Sequence, residues 1–151
     1  MHYGLEAELR KSICRTKVID VMATKKIMLI DDDPLCILIS TKIIELNPAL
    51  KVTSFARAEE ALEQLKQWYI AGSEQFPDFI FLDINMPVMN GWQFLEEAQK
   101  LPEEFRQKCN VIMLSSSVNP VDVKKSRSFE PVSDFVSKPL TVDKLKTLIM
   151  K

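Results

Sequence analysis

At 151 residues, with 46% hydrophobic side chains and a formal net charge of −1, the chain has the size and apolar content of one folded domain. That composition argues against a disordered chain, and the near-zero charge supplies no long-range field for nucleic acid or an anionic membrane. One histidine, three glycines and three widely spaced cysteines (Cys14, Cys36, Cys109) argue against a His/Cys metal centre, a glycine-rich phosphate loop and a C-x-x-C redox pair.

No stretch approaches the roughly 18 apolar residues of a membrane span. The first 25 residues lack the continuous apolar run of a signal peptide. The expected setting is cytoplasmic, with the thiols reduced and packed as small hydrophobes. Residues 1–24 are read as an N-terminal extension ahead of a domain at 25–151. Leu5, Leu9 and Ile13 recur every four residues there, which suits a short amphipathic helix or a loosely attached arm.

From residue 26 onward, strand and helix alternate. Ile27-Met28-Leu29-Ile30 predicts a buried strand and runs into Asp31-Asp32-Asp33-Pro34. Asp33 suits an N-cap and Pro34 the first helical position. The following helix carries Leu35, Leu38, Ile39, Ile43 and Leu46 at helical spacing, and Asn47-Pro48 stops it. Residues 51–55 alternate like a strand. Ala58, Ala61, Leu62, Leu65 and Trp68 then line one face of a second helix.

Phe79-Ile80-Phe81-Leu82 predicts a third strand, ending in Asp83. A loop through Gly91 opens a helix with Trp92, Leu95 and Ala98 facing inward. Val111-Ile112-Met113-Leu114 forms a fourth strand, ending in Ser115-Ser116-Ser117. A weakly apolar helix spans 120–128, and its basic run Lys124-Lys125-Ser126-Arg127 is read as a solvated face. Asp134-Phe135-Val136 gives a short fifth strand, ending at Lys138-Pro139. Thr141 caps a last helix with Val142, Leu145, Leu148 and Ile149 on one side.

Five strands alternating with five helices imply an α/β, doubly wound parallel sheet covered on both faces. In such sheets ligands bind beyond the carboxyl ends of the strands. Asp31, Asp32, Asp83, Ser115 and Lys138 each follow an apolar strand and so converge on that edge. Three carboxylates together repel one another without a cation. An all-oxygen donor set suits a hard ion, Mg²⁺ or Mn²⁺. A carboxylate beside a metal and a lysine is a phosphoryl acceptor in chemical terms: the cations neutralise the phosphoryl oxygens while the carboxylate attacks in line.

The stretches IMLIDDDP, FIFLDINMPVMNG, VIMLSSS and DFVSKPL closely resemble the receiver domains of two-component response regulators, over about residues 25–150. The resemblance implies a flavodoxin-like (CheY-like) fold with strand order 2-1-3-4-5. It implies Asp83 as the phosphoacceptor, in an L-D-x-x-M-P-x-M-x-G pattern. Asp32 would be a direct metal ligand together with Asp83, Asp31 would act through water, and Asn85 would lend its backbone carbonyl. The run of three aspartates also admits Asp32–Asp33 as the acidic pair. Ile30 immediately before Asp31 favours Asp31–Asp32 and leaves Asp33 as the cap. Ser115 and Lys138 would hold the phosphoryl group, Phe135 would be the aromatic coupled to Ser115, and Pro139 would follow a cis bond.

The function so implied is a phosphoaccepting switch. Its donor would be a sensor histidine kinase or a histidine phosphotransfer protein, and its output a downstream protein reading the last helices. No direct contact with nucleic acid or membrane is expected, and a homodimer could use the same face. The domain would catalyse only its own phosphorylation and dephosphorylation. Two alternatives compete. One is a Mg²⁺-dependent phosphatase of the haloacid-dehalogenase type, whose D-x-D pattern Asp31-Asp32-Asp33 formally meets. The other is an interaction module that no longer uses phosphorylation.

Overall fold

A computed structural model gives the structure of residues 24–150. The Leu5/Leu9/Ile13 stripe and Cys14 lie outside the described residues. The strands are β1 (Lys25–Ile30), β2 (Leu50–Phe55), β3 (Phe79–Asp83), β4 (Asn110–Ser115) and β5 (Val132–Ser137). The helices are α1 (Pro34–Glu45), α2 (Ala58–Ala71), α3 (Gly91–Ala98), α4 (Glu103–Lys108), α5 (Pro120–Ser126) and α6 (Val142–Ile149). All neighbouring strands pair in parallel, in the order β2-β1-β3-β4-β5. This is the expected sheet.

The core divides into two layers, one on each face of the sheet, because successive strand side chains point to opposite faces. Met28, Ile30, Ile80, Leu82, Val111 and Met113 meet α2, α3 and α4 on one face. Ile27, Leu29, Phe81, Ile112 and Leu114 meet Ile44 of α1 and Leu145 and Leu148 of α6 on the other. No described helix is long and apolar enough to cross a membrane.

The helix starts follow the local chemistry. Asp33 Oδ1 accepts from the Leu35 N–H at 2.9 Å, and Pro34 occupies the first turn, where a missing N–H costs nothing. Asn90 and Gln93 form a reciprocal capping box at α3. Thr141 Oγ1 accepts from the Lys144 N–H at α6.

Three findings depart from the sequence reading. The first is α4, a sixth helix. Its six residues are too few to show a period. Glu103 and Glu104 at its start and Arg106 and Lys108 at its end suit the helix dipole, and Phe105 anchors it edge-on against Phe76. The second is the face that α1 turns inward. Ser40 and Ile44 are buried and Ile37 packs on the core, whereas Leu35, Leu38, Ile39 and Leu46 are exposed. A helix apolar on two sides offers two stripes, and only its seat on the sheet selects one. The third is the basic run on α5. Lys124 and Lys125 are exposed as expected, but Lys125 Nζ also sits 4.6 Å above the Trp92 ring, and Ser126 is buried.

Candidate functional site

Strand register assembles the site. Ile30 of β1 lies opposite Leu82 of β3, so the next residues, Asp31 and Asp83, stand side by side on adjacent central strands. Ser115 of β4 pairs with Ser137 of β5, which puts Lys138 one residue past the pair. The Lys138 N–H then donates to the Ser115 carbonyl at 2.7 Å. Four separate stretches of sequence meet at one edge because each strand ends at the same level.

Lys138 is the hub. Its Nζ lies 2.8 Å from Asp31 Oδ2 and 3.2 Å from Asp83 Oδ1. Asp31 is buried, and its other oxygen accepts from the Asp33 N–H at 3.0 Å, so both its oxygens are engaged. Asp32 is exposed. Ligand oxygens of Asp31, Asp32 and Asp83 lie within 4.8 Å of one another. Among the described residues, the ammonium group paired with these carboxylates is that of Lys138. The donor set is all oxygen, partly open through Asp32, and under-neutralised, which fits a hard divalent cation.

Electrostatics follow from burial. Burial raises the Asp83 carboxyl to about 6, the Asp31 charge pushes the same way, and Lys138 opposes both. For Lys138, burial pulls the ammonium down. The hydrogen bond to Asp31 and the charges of Asp31 and Asp83 outweigh it, and the net shift is upward. Asp33 moves the other way. The Cys36 thiol and the Leu35 N–H donate to it and lower its pKa.

Gly91 of the L-D-x-x-M-P-x-M-x-G stretch has a steric cause. A Cβ there would stand 2.6 Å from the Asp83 carbonyl oxygen and 2.9 Å from Ile84 Cα. The Gly91 N–H donates to the Ile84 carbonyl at 2.8 Å, which draws the start of α3 onto the end of β3. Between them, Val88 sits at φ 68°, a left-handed conformation costly for a β-branched side chain. The loop carrying Asn85, which is exposed, is therefore closed tightly at both ends.

Other residues named from the sequence also have definite places. Ser115 is buried; its hydroxyl donates to the Ser117 carbonyl at 2.7 Å and accepts from the Ser117 N–H at 3.2 Å. Phe135 is half-buried and lines a cavity of about 200 Å³ between α5 and β5, with Val123, Ser126 and Arg127. The Lys138–Pro139 peptide is cis. Cys109 is buried, and burial pushes its thiol up to about 12. Cys36 is half-buried rather than buried, because α1 starts at the site, and its Sγ lies 3.4 Å from Asp33 Oδ2. The sequence reading missed the Ser115–Ser117 bond and the left-handed Val88. Neither leaves a compositional signal.

Comparison with known proteins agrees with this fold. The family model "Response regulator receiver domain" matches residues 27–150. The crystal structure of a two-component response regulator from Cytophaga hutchinsonii superposes with a TM-score of 0.77 at 32% identity, covering 84% of this chain and 96% of that one. The protein-glutamate methylesterase/protein-glutamine glutaminase of Treponema pallidum is 35% identical over 115 residues, which is 75% of this chain and 26% of that protein. Hybrid signal transduction histidine kinase C of Dictyostelium discoideum is 28% identical over 85% of this chain and 10% of its own length. The chain thus spans only a small part of the curated relatives it matches. It belongs to the response regulator receiver domain family and is a receiver domain of two-component signalling.

Proposed function

We propose that the domain accepts a phosphoryl group on Asp83 from the phosphohistidine of a histidine kinase or a histidine phosphotransfer protein. The observation that carries this reading is the Lys138 ammonium bridging Asp31 and Asp83, with Asp32 open beside them. An Asp83 oxygen attacks phosphorus, the O–P bond forms, and the N–P bond of the donor breaks. The leaving imidazole keeps the electron pair and takes up a proton. In a separate hydrolytic step, a water oxygen attacks phosphorus, the Asp83 O–P bond breaks, and the products are the Asp83 carboxylate, inorganic phosphate and a proton released to solvent. Asp32 and Asp83, with the Asn85 carbonyl, would hold Mg²⁺ or Mn²⁺ directly, and Asp31 through water. Bound there, the ion would neutralise charge developing on the phosphoryl oxygens.

Lys138 and Ser115 hold the transferred group. Ser115 must first release the Ser117 carbonyl, and that exchange couples phosphorylation to the β4–α5 loop. Phe135 beside the α5–β5 cavity gives the exchange somewhere to propagate. The readout surface is the α5–β5–α6 face, offered to a downstream protein or to a second copy. Exposed Leu35, Val88, Val118 and Val121 on loops and helix starts at the same sheet edge suit a protein donor. The domain catalyses only its own phosphorylation and hydrolysis, in a cytoplasmic setting.

What speaks against the phosphatase alternative is the place of the second carboxylate of its pattern. Asp33 is committed to capping α1, with both oxygens engaged. The deciding experiment incubates the protein with acetyl phosphate and Mg²⁺ and follows it by mass spectrometry. The expected result is one acid-labile phosphoryl adduct, absent in Asp83→Asn. No adduct on the unsubstituted protein overturns the proposal in favour of a phosphorylation-independent module.

A further inference from the structure

Lys144, in the first turn of α6, belongs to none of the roles above. It is half-buried, and its Nζ donates to three acceptors: the Ser137 carbonyl at 2.8 Å, the Pro139 carbonyl at 3.0 Å and Ser137 Oγ at 3.2 Å. Ser137 and Pro139 are the residues on either side of Lys138. One ammonium therefore ties down the peptide units that flank the hub of the site. The base of Lys144 is held as well, because its N–H donates to Thr141 Oγ1 at 3.2 Å.

We propose that Lys144 is a positioning residue for Lys138, and through it for phosphoryl transfer to Asp83. This inference rests on the function proposed above. The need for such a brace follows from topology. Asp31 and Asp83 end the central strands β1 and β3, and both are buried. Lys138 instead follows the edge strand β5, which has a neighbour on one side only and is half-buried along most of its length. Its flexible four-carbon stem must still place one ammonium near 3 Å from two carboxylates. Misplacement by about 1 Å is enough to lose on the order of a hundredfold in rate. Three charge-assisted bonds from Lys144 remove freedom at the root of that stem. Since the brace touches neither Asp32 nor the open side of the cluster, it acts on the transfer step and not on cation or donor binding.

The test compares Lys144→Met, which keeps the stem and loses the ammonium, with Lys144→Arg, which keeps a cation. Phosphorylation by acetyl phosphate with Mg²⁺ is followed at several donor concentrations, below each variant's melting temperature. Lys144→Met is expected to lower the maximal rate about tenfold, with the half-saturating donor and Mg²⁺ concentrations within about twofold of the starting protein. Lys144→Arg is expected to recover most of the loss. In a Lys138→Ala background, adding Lys144→Met is expected to cost almost nothing further, because the group it positions is gone. An unchanged maximal rate in Lys144→Met, or a full further loss in the Lys138→Ala background, overturns the proposal. If the unsubstituted protein acquires no phosphoryl group, it is the functional reading that has failed.

Discussion

The two strands that deliver opposite charges to the site are built differently. β3 is central and completely buried from Ile80 to Asp83, so its carboxylate is fixed by the hydrophobic core. β5 lies at the edge, is mostly half-buried, and presents its lysine from the loop beyond. The Asp83 carboxylate is thus held by packing, and its countercharge by polar ties: Lys138 N–H to Ser115, and Lys144 to Ser137 and Pro139. A side chain at the end of a central strand is held by the packing around it, whereas one carried past an edge strand needs explicit polar ties to hold its place.

Substitutions in and beside the two strands put this difference to the test. Phe81→Ala empties a fully buried site in β3 and is expected to cost about 3–5 kcal/mol in urea unfolding. A cost near 1 kcal/mol would mean that β3 is no stiffer than its edge. Gly91→Ala drives a Cβ into the Asp83 carbonyl and is expected to cost about 1–3 kcal/mol. Slower phosphorylation of that variant would show that the end of β3, and not only its middle, must be immobile.

Asp83→Asn should act in the other direction. The folded-state carboxyl is raised to about 6, above the ordinary value of 3.8, so the folded protein binds the proton more tightly than the unfolded chain. The group's contribution to stability is fully present below about pH 4 and is lost as pH rises through about 6. In a chelating buffer at pH 7.5, removing this charge is expected to stabilise the fold by about 1–2 kcal/mol, less than the full shift implies because solvent reaches the mouth of the site. The gain should vanish at pH 4, and a gain independent of pH would locate the strain elsewhere. Mg²⁺ at ten times its dissociation constant should stabilise the unsubstituted protein by about 1.4 kcal/mol, more than it does Asp83→Asn. Smallest is Val136→Ala on β5, which packs against the same core layer as Phe81 but is half-buried. About 1 kcal/mol is expected in the same unfolding assay.

Much of the fold could be read from the residues. β1, β3 and β4 were apolar runs with a polar residue at or just past their ends, β2 was an alternating stretch, and each long helix had a cap or a periodic face. What escaped was short or doubly ambiguous. α4 spans less than two turns, and α1 carries apolar residues on two sides. That Asp31, Asp83, Ser115 and Lys138 would meet at one edge was legible because each sits at or just past a strand end, where a polar residue after an apolar run is conspicuous. Lys144 was not, because one lysine in a helix looks like any other until its three acceptors are located.

Local pattern was enough to set the order of the elements, the polar residues at or just past the ends of β1, β3, β4 and β5, and the chemistry gathered there. Those depend on local pattern, which burial and capping impose residue by residue. Which residues lie against which came only with packing. Register placed Asp31 beside Asp83, and sheet order put one strand in the core and another at the margin. The seat of α1 exposed one apolar stripe and buried the other, and the turn into α6 brought Lys144 to the two peptides that carry Lys138. These are relations between distant segments, and they exist only once the sheet has closed its pairs and both core layers have packed.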